Sequence, residues 1–207
     1  RNALIGKLGS LQYTPNDGWD YDENGIHMLY ETTVNGQRRK VVGHFGRNGF
    51  YYTLDRATGR FIKGTQYVND LNWTKGLDPK TGRPLDYDPK RDVQVYNREA
   101  RALRGDGMKR ACPTWHGGVA HQPTAYNPVK GIAYGVGTEG CFSQTGGEFK
   151  YGPNGAPIRT SAAARTSGTP VNRAACRQST RKPAAGSITG THGPATPSGP
   201  GRSEKGR

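Results

Sequence analysis

Ile26, Met28 and Tyr30 alternate with polar neighbours, the period of a strand with one buried face. Val34-Asn35-Gly36-Gln37 then supplies the two residues that tolerate positive φ in a tight hairpin. The return strand is predicted over Arg38 to His44, with Val41 and Val42 in the core. Gly49-Phe-Tyr-Tyr-Thr-Leu54 is aromatic and β-branched, as strands favour. Asp55-Arg-Ala-Thr-Gly59 is a turn, and Arg60-Phe-Ile62 opens a further strand. The same strand–turn–strand plan recurs over Thr124-Ala-Tyr126, Asn127-Pro-Val-Lys-Gly131 and Ile132-Ala-Tyr-Gly-Val136. Helical periodicity is weak and confined to Val95 to Leu103. The chain is therefore expected to be all-β.

One turn recurs. Asp55-Arg-Ala-Thr-Gly-Arg60 returns as Asp78-Pro-Lys-Thr-Gly-Arg83, with a degenerate copy at Asn127–Gly131. The leading Asp can accept from backbone N–H groups two residues on, and the Gly takes φ > 0. Any all-β protein can reuse such a turn. A second reading is a repeat of four-stranded blades, a propeller.

Composition changes the picture at one end. Gly and Pro make up 45 of the 207 residues, so turns dominate and core material is scarce. The net charge of +14 invites a nucleic-acid reading. Residues 151–207 carry nine Lys/Arg and one Glu, whereas residues 1–150 carry 21 basic and 15 acidic residues. Over half of the excess thus falls in the last quarter. There the charges stand singly and no aromatic is interleaved after Tyr151, which argues against nucleic acid. Residues 1–150 are expected to form the folded unit. Residues 151–207 are expected to be a disordered basic tail or a non-native continuation, because too little apolar surface is available to offset ordering entropy. No apolar run reaches the roughly 18 residues of a membrane span.

Cys112, Cys141 and Cys176 include no Cys-x-x-Cys pair, so a zinc ribbon is unsupported. Asp17, Asp20, Asp22 and Glu23 crowd one short segment. By themselves they read most simply as an exposed acidic loop.

Four segments, in order, resemble the methanol/ethanol family of pyrroloquinoline-quinone (PQQ) dependent alcohol dehydrogenases. They are Gln12-Tyr-Thr-Pro-Asn-Asp-Gly-Trp-Asp-Tyr-Asp22, His44-Phe-Gly-Arg-Asn-Gly-Phe-Tyr-Tyr-Thr-Leu-Asp-Arg56, Asn72-Trp-Thr-Lys-Gly-Leu-Asp-Pro-Lys-Thr-Gly-Arg-Pro84, and Cys112-Pro with Pro123-Thr-Ala-Tyr-Asn-Pro128. The resemblance covers roughly residues 1–150. It implies two to three blades of an eight-bladed β-propeller, an internal fragment of a periplasmic enzyme. The implied reaction oxidises a primary alcohol to an aldehyde by metal-assisted hydride transfer to PQQ.

The resemblance also assigns roles. Asp20, in Trp-Asp-Tyr, corresponds to the general base that takes the alcohol proton and neighbours the metal. Asp22 stands where lanthanide-type members carry a second Asp, whose carboxylate offsets the extra charge of a trivalent ion. The metal is thus expected to be Ca2+ or a lanthanide held in part by Asp20 and Asp22. Arg47 corresponds to the arginine that bonds the quinone oxygens. Cys112 and Cys141 match the spacing of a family disulfide, which would contribute about 3 kcal/mol in the chain-entropy model. A small alcohol is the implied substrate and a cytochrome c-type protein the implied electron acceptor. A homodimeric complete enzyme is compatible with the resemblance.

The chain departs from the family pattern at Ala120, where an Asn usually faces the quinone. The family's Glu and Asn metal ligands and its vicinal-cysteine ring would lie upstream of Arg1. Two or three blades leave open edges, so the chain alone is expected to be unstable and to bind PQQ poorly. Two other classes compete: a non-catalytic β-repeat binding module, and a nucleic-acid binder acting through the basic tail. Neither explains four ordered segments.

Overall fold

The computed structural model describes residues 10–146, 149–155 and 157–159. Among them there are ten strands and no helix. The weak periodicity over 95–103 gives turns instead. There Asn97 accepts from the Glu99 N–H, and Asp106 accepts from the Leu103 N–H. These local side-chain bonds compete with a helical ladder.

The central element is a four-stranded antiparallel sheet in the order β1 (His27–Val34), β2 (Gln37–Phe45), β3 (Phe50–Asp55), β4 (Phe61–Gln66). The β1–β2 hairpin closes at Asn35 and Gly36, whose φ angles of 50° and 81° are those of a tight hairpin turn. Its register pairs Leu29 with Val42 and Tyr30 with Val41. That register puts Val41 and Val42 on opposite faces, so Val41 is fully buried and Val42 only partly. Ile26 lies just before β1 and is exposed, contrary to the alternation that grouped it with Met28 and Tyr30.

Strand β3 is buried on both faces over Phe50–Thr53, which is why it reads as a run of aromatics rather than as an alternation. Phe50 and Tyr52 join one cluster with Trp19, Tyr21, Trp73, Tyr96 and Phe142. Tyr51 joins the other, with Tyr30, Val41, Phe45, Tyr67 and Val119. The sheet therefore separates two aromatic cores.

Repeated turns, short paired strands and a disulfide complete the frame. Asp55 Oδ1 accepts from the N–H groups of Ala57 and Thr58 and from the Thr58 hydroxyl. Asp78 Oδ1 does the same with Lys80 and Thr81. Asn127 repeats the backbone half of the pattern with Val129 and Lys130, between β6 (Ala125–Asn127) and β7 (Ile132–Tyr134). Strand β5 (Lys109–Ala111) pairs with β8 (Phe142–Gln144). Cys112 and Cys141, next to the Ala111–Phe142 end of that ladder, form a disulfide. Strands β9 (Phe149–Tyr151) and β10 (Pro157–Arg159) form a last hairpin, so pairing continues past the change in composition at Lys150. Cys176 and the rest of the tail lie outside the described residues.

Candidate functional site

The segment Asn16–Glu23 is folded around one carboxylate. Asp17 accepts from the Trp19 N–H at 2.8 Å and from the Tyr21 N–H at 2.6 Å. These bonds coil the chain so tightly that Asp20 sits at φ 73°, a conformation rare for any residue but glycine, asparagine or aspartate. Burial holds the Asp17 carboxyl above its ordinary pKa, a rise that the two N–H bonds oppose. The flanking aromatics anchor the coil. Trp19 Nε1–H donates to Ala100 O at 2.6 Å, and the Tyr21 hydroxyl donates to Pro113 O at 2.7 Å. Trp19, Trp73 and Tyr96 pack edge to face and stacked around them.

The chain then extends, and its side chains alternate. Tyr21 and Glu23 turn inward while Asp22 and Asn24 face solvent. The Asp20 side chain is 47% exposed and that of Asp22 77%. Glu23, at 10%, is not part of an exposed loop at all. It meets His44 Nε2 at 2.8 Å and accepts from the Arg47 N–H with both oxygens at 3.1 Å. The single-loop reading of the four acids therefore fails for Glu23 and Asp17.

Arg47 is delivered by the turn between β2 and β3. Its guanidinium is almost fully buried and donates to Trp115 O at 2.8 Å, His116 O at 3.2 Å and Asp22 O at 3.2 Å. Its Nη1 lies 3.5 Å from Asp22 Oδ1 and its Nη2 3.9 Å from Asp20 Oδ2. A guanidinium has five N–H donors, so two remain for these carboxylates or for the oxygens of a ligand. The loop that supplies the carbonyls approaches closely because Gly117, at φ +79°, has no side chain. A Cβ there would fall 2.5 Å from Arg47 Cβ. The adjoining Gly118 N–H donates to Arg47 O.

The structure brings Asp20 and Asp22 up to Arg47, and Asp22 lines a cleft of about 380 Å³ together with Tyr13, Thr14, Asp17, Tyr21 and Glu23 among others. Burial and the Glu23 charge push the Tyr13 hydroxyl up to about 12. Ala120 is buried in the same loop as Gly117, its N–H bonded to Gln122 Oε1. The sequence presents Asp17 and Glu23 only as members of an acidic loop and His44 only as a strand end, with no role in the site. The alternation of Tyr21, Asp22, Glu23 and Asn24 was the available signal for Glu23.

Asp20 and Asp22 offer hard carboxylate oxygens of the kind that calcium-sized ions take. Among the described residues no group of three or more His, Cys, Asp or Glu could hold a metal by itself. The two carboxylates suit such an ion in kind, and its other ligands would have to come from elsewhere.

No protein-family model matches the chain. Curated proteins and solved structures do. The lanthanide-dependent methanol dehydrogenase of Methylacidiphilum fumariolicum (strain SolV) is 36% identical over 142 residues, 69% of this chain and 21% of that protein. The chain belongs with the quinoprotein alcohol dehydrogenases. The dehydrogenase subunit of a quinone-type alcohol dehydrogenase from Gluconacetobacter polyoxogenes is 37% identical over 60% of this chain and 15% of its own length. Among solved structures, a europium-containing methanol dehydrogenase matches 72% of this chain and 24% of its own, at 34% identity and a TM-score of 0.59. The quinohemoprotein alcohol dehydrogenase of Comamonas testosteroni matches with a TM-score of 0.55 at 30% identity. The all-β fold is accordingly that of part of a quinoprotein β-propeller. The chain spans about a fifth of the length of the curated relatives it matches.

Proposed function

We propose that this chain carries one side of the active site of a PQQ-dependent alcohol dehydrogenase that converts a primary alcohol to an aldehyde. The observation that supports this most is the convergence of Asp20 and Asp22 on a buried, clamped Arg47. When bound, PQQ would supply the hydride acceptor and a calcium or lanthanide ion would polarise its carbonyl.

The chain's own residues have distinct tasks. Asp20 takes the hydroxyl proton of the alcohol on a carboxylate oxygen as the C–H bond breaks. Its coiled backbone, fixed by Asp17, sets the direction in which the side chain leaves the chain. Arg47 would hold the quinone oxygens with its two remaining donors and stabilise negative charge that develops there. Asp20 and Asp22 would serve as metal ligands, with Asp22 favouring a trivalent ion. Trp19, Tyr21 and Tyr96 pack in the buried aromatic cluster that anchors the segment carrying Asp20. The Cys112–Cys141 disulfide supports an oxidising compartment such as the periplasm. A cytochrome c-type protein is the electron acceptor in this reading.

The test is Asp20→Asn in the full protein that carries this sequence, loaded with PQQ and metal. Loss of the base lowers kcat for a small primary alcohol by about a hundredfold or more, while the quinone stays bound. Unchanged turnover would sink the assignment.

A further inference from the structure

Glu23 sits in the acid-rich segment but faces away from Asp20 and Asp22. Its carboxylate fills a polar niche under the backbone of Gly46-Arg47-Asn48. Both oxygens lie 3.1 Å from the Arg47 N, and Oε2 lies 2.8 Å from His44 Nε2. His44 is itself immobilised. Its side chain is 1% exposed, its Nδ1 donates to Ile26 O at 3.1 Å, and His27 stacks on its ring with centroids 3.9 Å apart. The niche has no spare room: a Cβ on Gly46 would stand 2.9 Å from Glu23 Oε1 and 2.8 Å from Asn48 Oδ1.

Every polar group of Arg47 is therefore constrained. Glu23 holds its N–H, Gly118 holds its carbonyl, and Trp115, His116 and Asp22 hold the guanidinium. Of these partners only Glu23 acts through an inward-facing side chain with no contact to the guanidinium itself. We infer that Glu23, seated by His44, is a positioning residue that sets where the Arg47 guanidinium is presented to the quinone. This rests on the reading of Arg47 given above. The sensitivity is steep, because misplacing a binding group by about 1 Å can cost about a hundredfold in rate.

The experiment titrates PQQ into the full protein that carries this sequence and reads its dissociation constant, with thermal unfolding followed alongside. Glu23→Ala is expected to weaken PQQ binding about tenfold. Glu23→Gln recovers most of it, because an amide oxygen still accepts from the Arg47 N–H. In an Arg47→Ala background, Glu23→Ala adds less than twofold, since there is no guanidinium left to position. Should Glu23→Ala fail to fold, Gly46→Ala displaces the carboxylate without removing it and is read the same way. If Glu23→Ala (or Gly46→Ala) leaves PQQ affinity intact while Arg47→Ala weakens it, the positioning role is overturned and the Arg47 assignment stands. Full additivity in the double variant overturns it too. If Arg47→Ala leaves PQQ affinity unchanged, the assignment of Arg47 falls and this inference falls with it.

Discussion

Asp17 is a carboxylate that shapes the site through the backbone it holds. Its two oxygens satisfy the Trp19 and Tyr21 N–H groups, and those bonds hold Asp20 at its positive φ. Asp17→Ala leaves two largely buried donors without a partner. It should lower unfolding free energy by about 1–3 kcal/mol in urea titrations, and it should reduce turnover of the full protein because Asp20, the proposed base, loses its geometry. Asp22 has a different profile. Its side chain is exposed and its bond to Arg47 is long, so Asp22→Ser should leave the urea midpoint nearly unmoved. If Asp22 selects a trivalent ion, the same change should shift the metal that best restores activity from lanthanum toward calcium. Activity restored equally by both ions before and after the change would remove that role. At this scale the sequence pointed to Asp20 and Arg47 through the segments that resemble the family, and the structure places the two side chains 3.9 Å apart. It was mute about the pairing of Glu23 with His44, which joins positions 21 residues apart that the β1–β2 hairpin brings together.

The hairpin and the repeated turns were legible because their causes are local. Asn35 and Gly36 specify a hairpin through their own φ preferences, and the Asp-x-x-Thr-Gly pattern carries its own acceptors and donors. The two kinds of glycine respond differently to substitution. Gly36→Ala meets open space and bears only the strain of its positive φ, about 1–2 kcal/mol. Gly82→Ala carries the same strain and also drives a Cβ into the Phe61 ring on β4, so its urea midpoint should fall clearly further. The turns also set an acid response. Hydrogen bonds to Thr58 and Thr81 hold Asp55 and Asp78 below the ordinary carboxylate value of 3.8, and Arg98 holds Asp106 down at about 2. Carboxyls lowered in the folded state stabilise it above the unfolded pKa and cease to do so as pH falls through the folded values. Unfolding midpoints should therefore drop between pH 4 and about 2. Asp17, raised by burial, works in the opposite sense. Replacing Asp55, Asp78 and Asp106 by Asn should flatten the acid limb, and an unchanged limb would show that other groups govern it.

Across the whole chain, the disulfide ties the loop that clamps Arg47 to the β5–β8 ladder. Removing it as Cys112→Ala with Cys141→Ala should cost about 3 kcal/mol and should loosen the carbonyl cage of Trp115 and His116. The sheet edges make a second expectation. Strands β1 and β4 each have only one partner in the four-stranded sheet, and Leu29 and Val129 are well exposed. The 207-residue chain alone should therefore self-associate in sedimentation. A monodisperse species with a cooperative melt would refute this. What the sequence settled by itself was the all-β class, the turns and the order of the four family-like segments. Each of these depends on short-range geometry or on residue chemistry. The tertiary structure decided which acids are exposed and which are turned inward. It also decided that β3 is covered on both sides, and that Arg47 is gripped by a loop about 70 residues away. Those outcomes depend on long-range register and on which backbones can approach closely. A single strand's pattern does not encode either one, because an inward and an outward carboxylate have the same formula until the partner strand is in place.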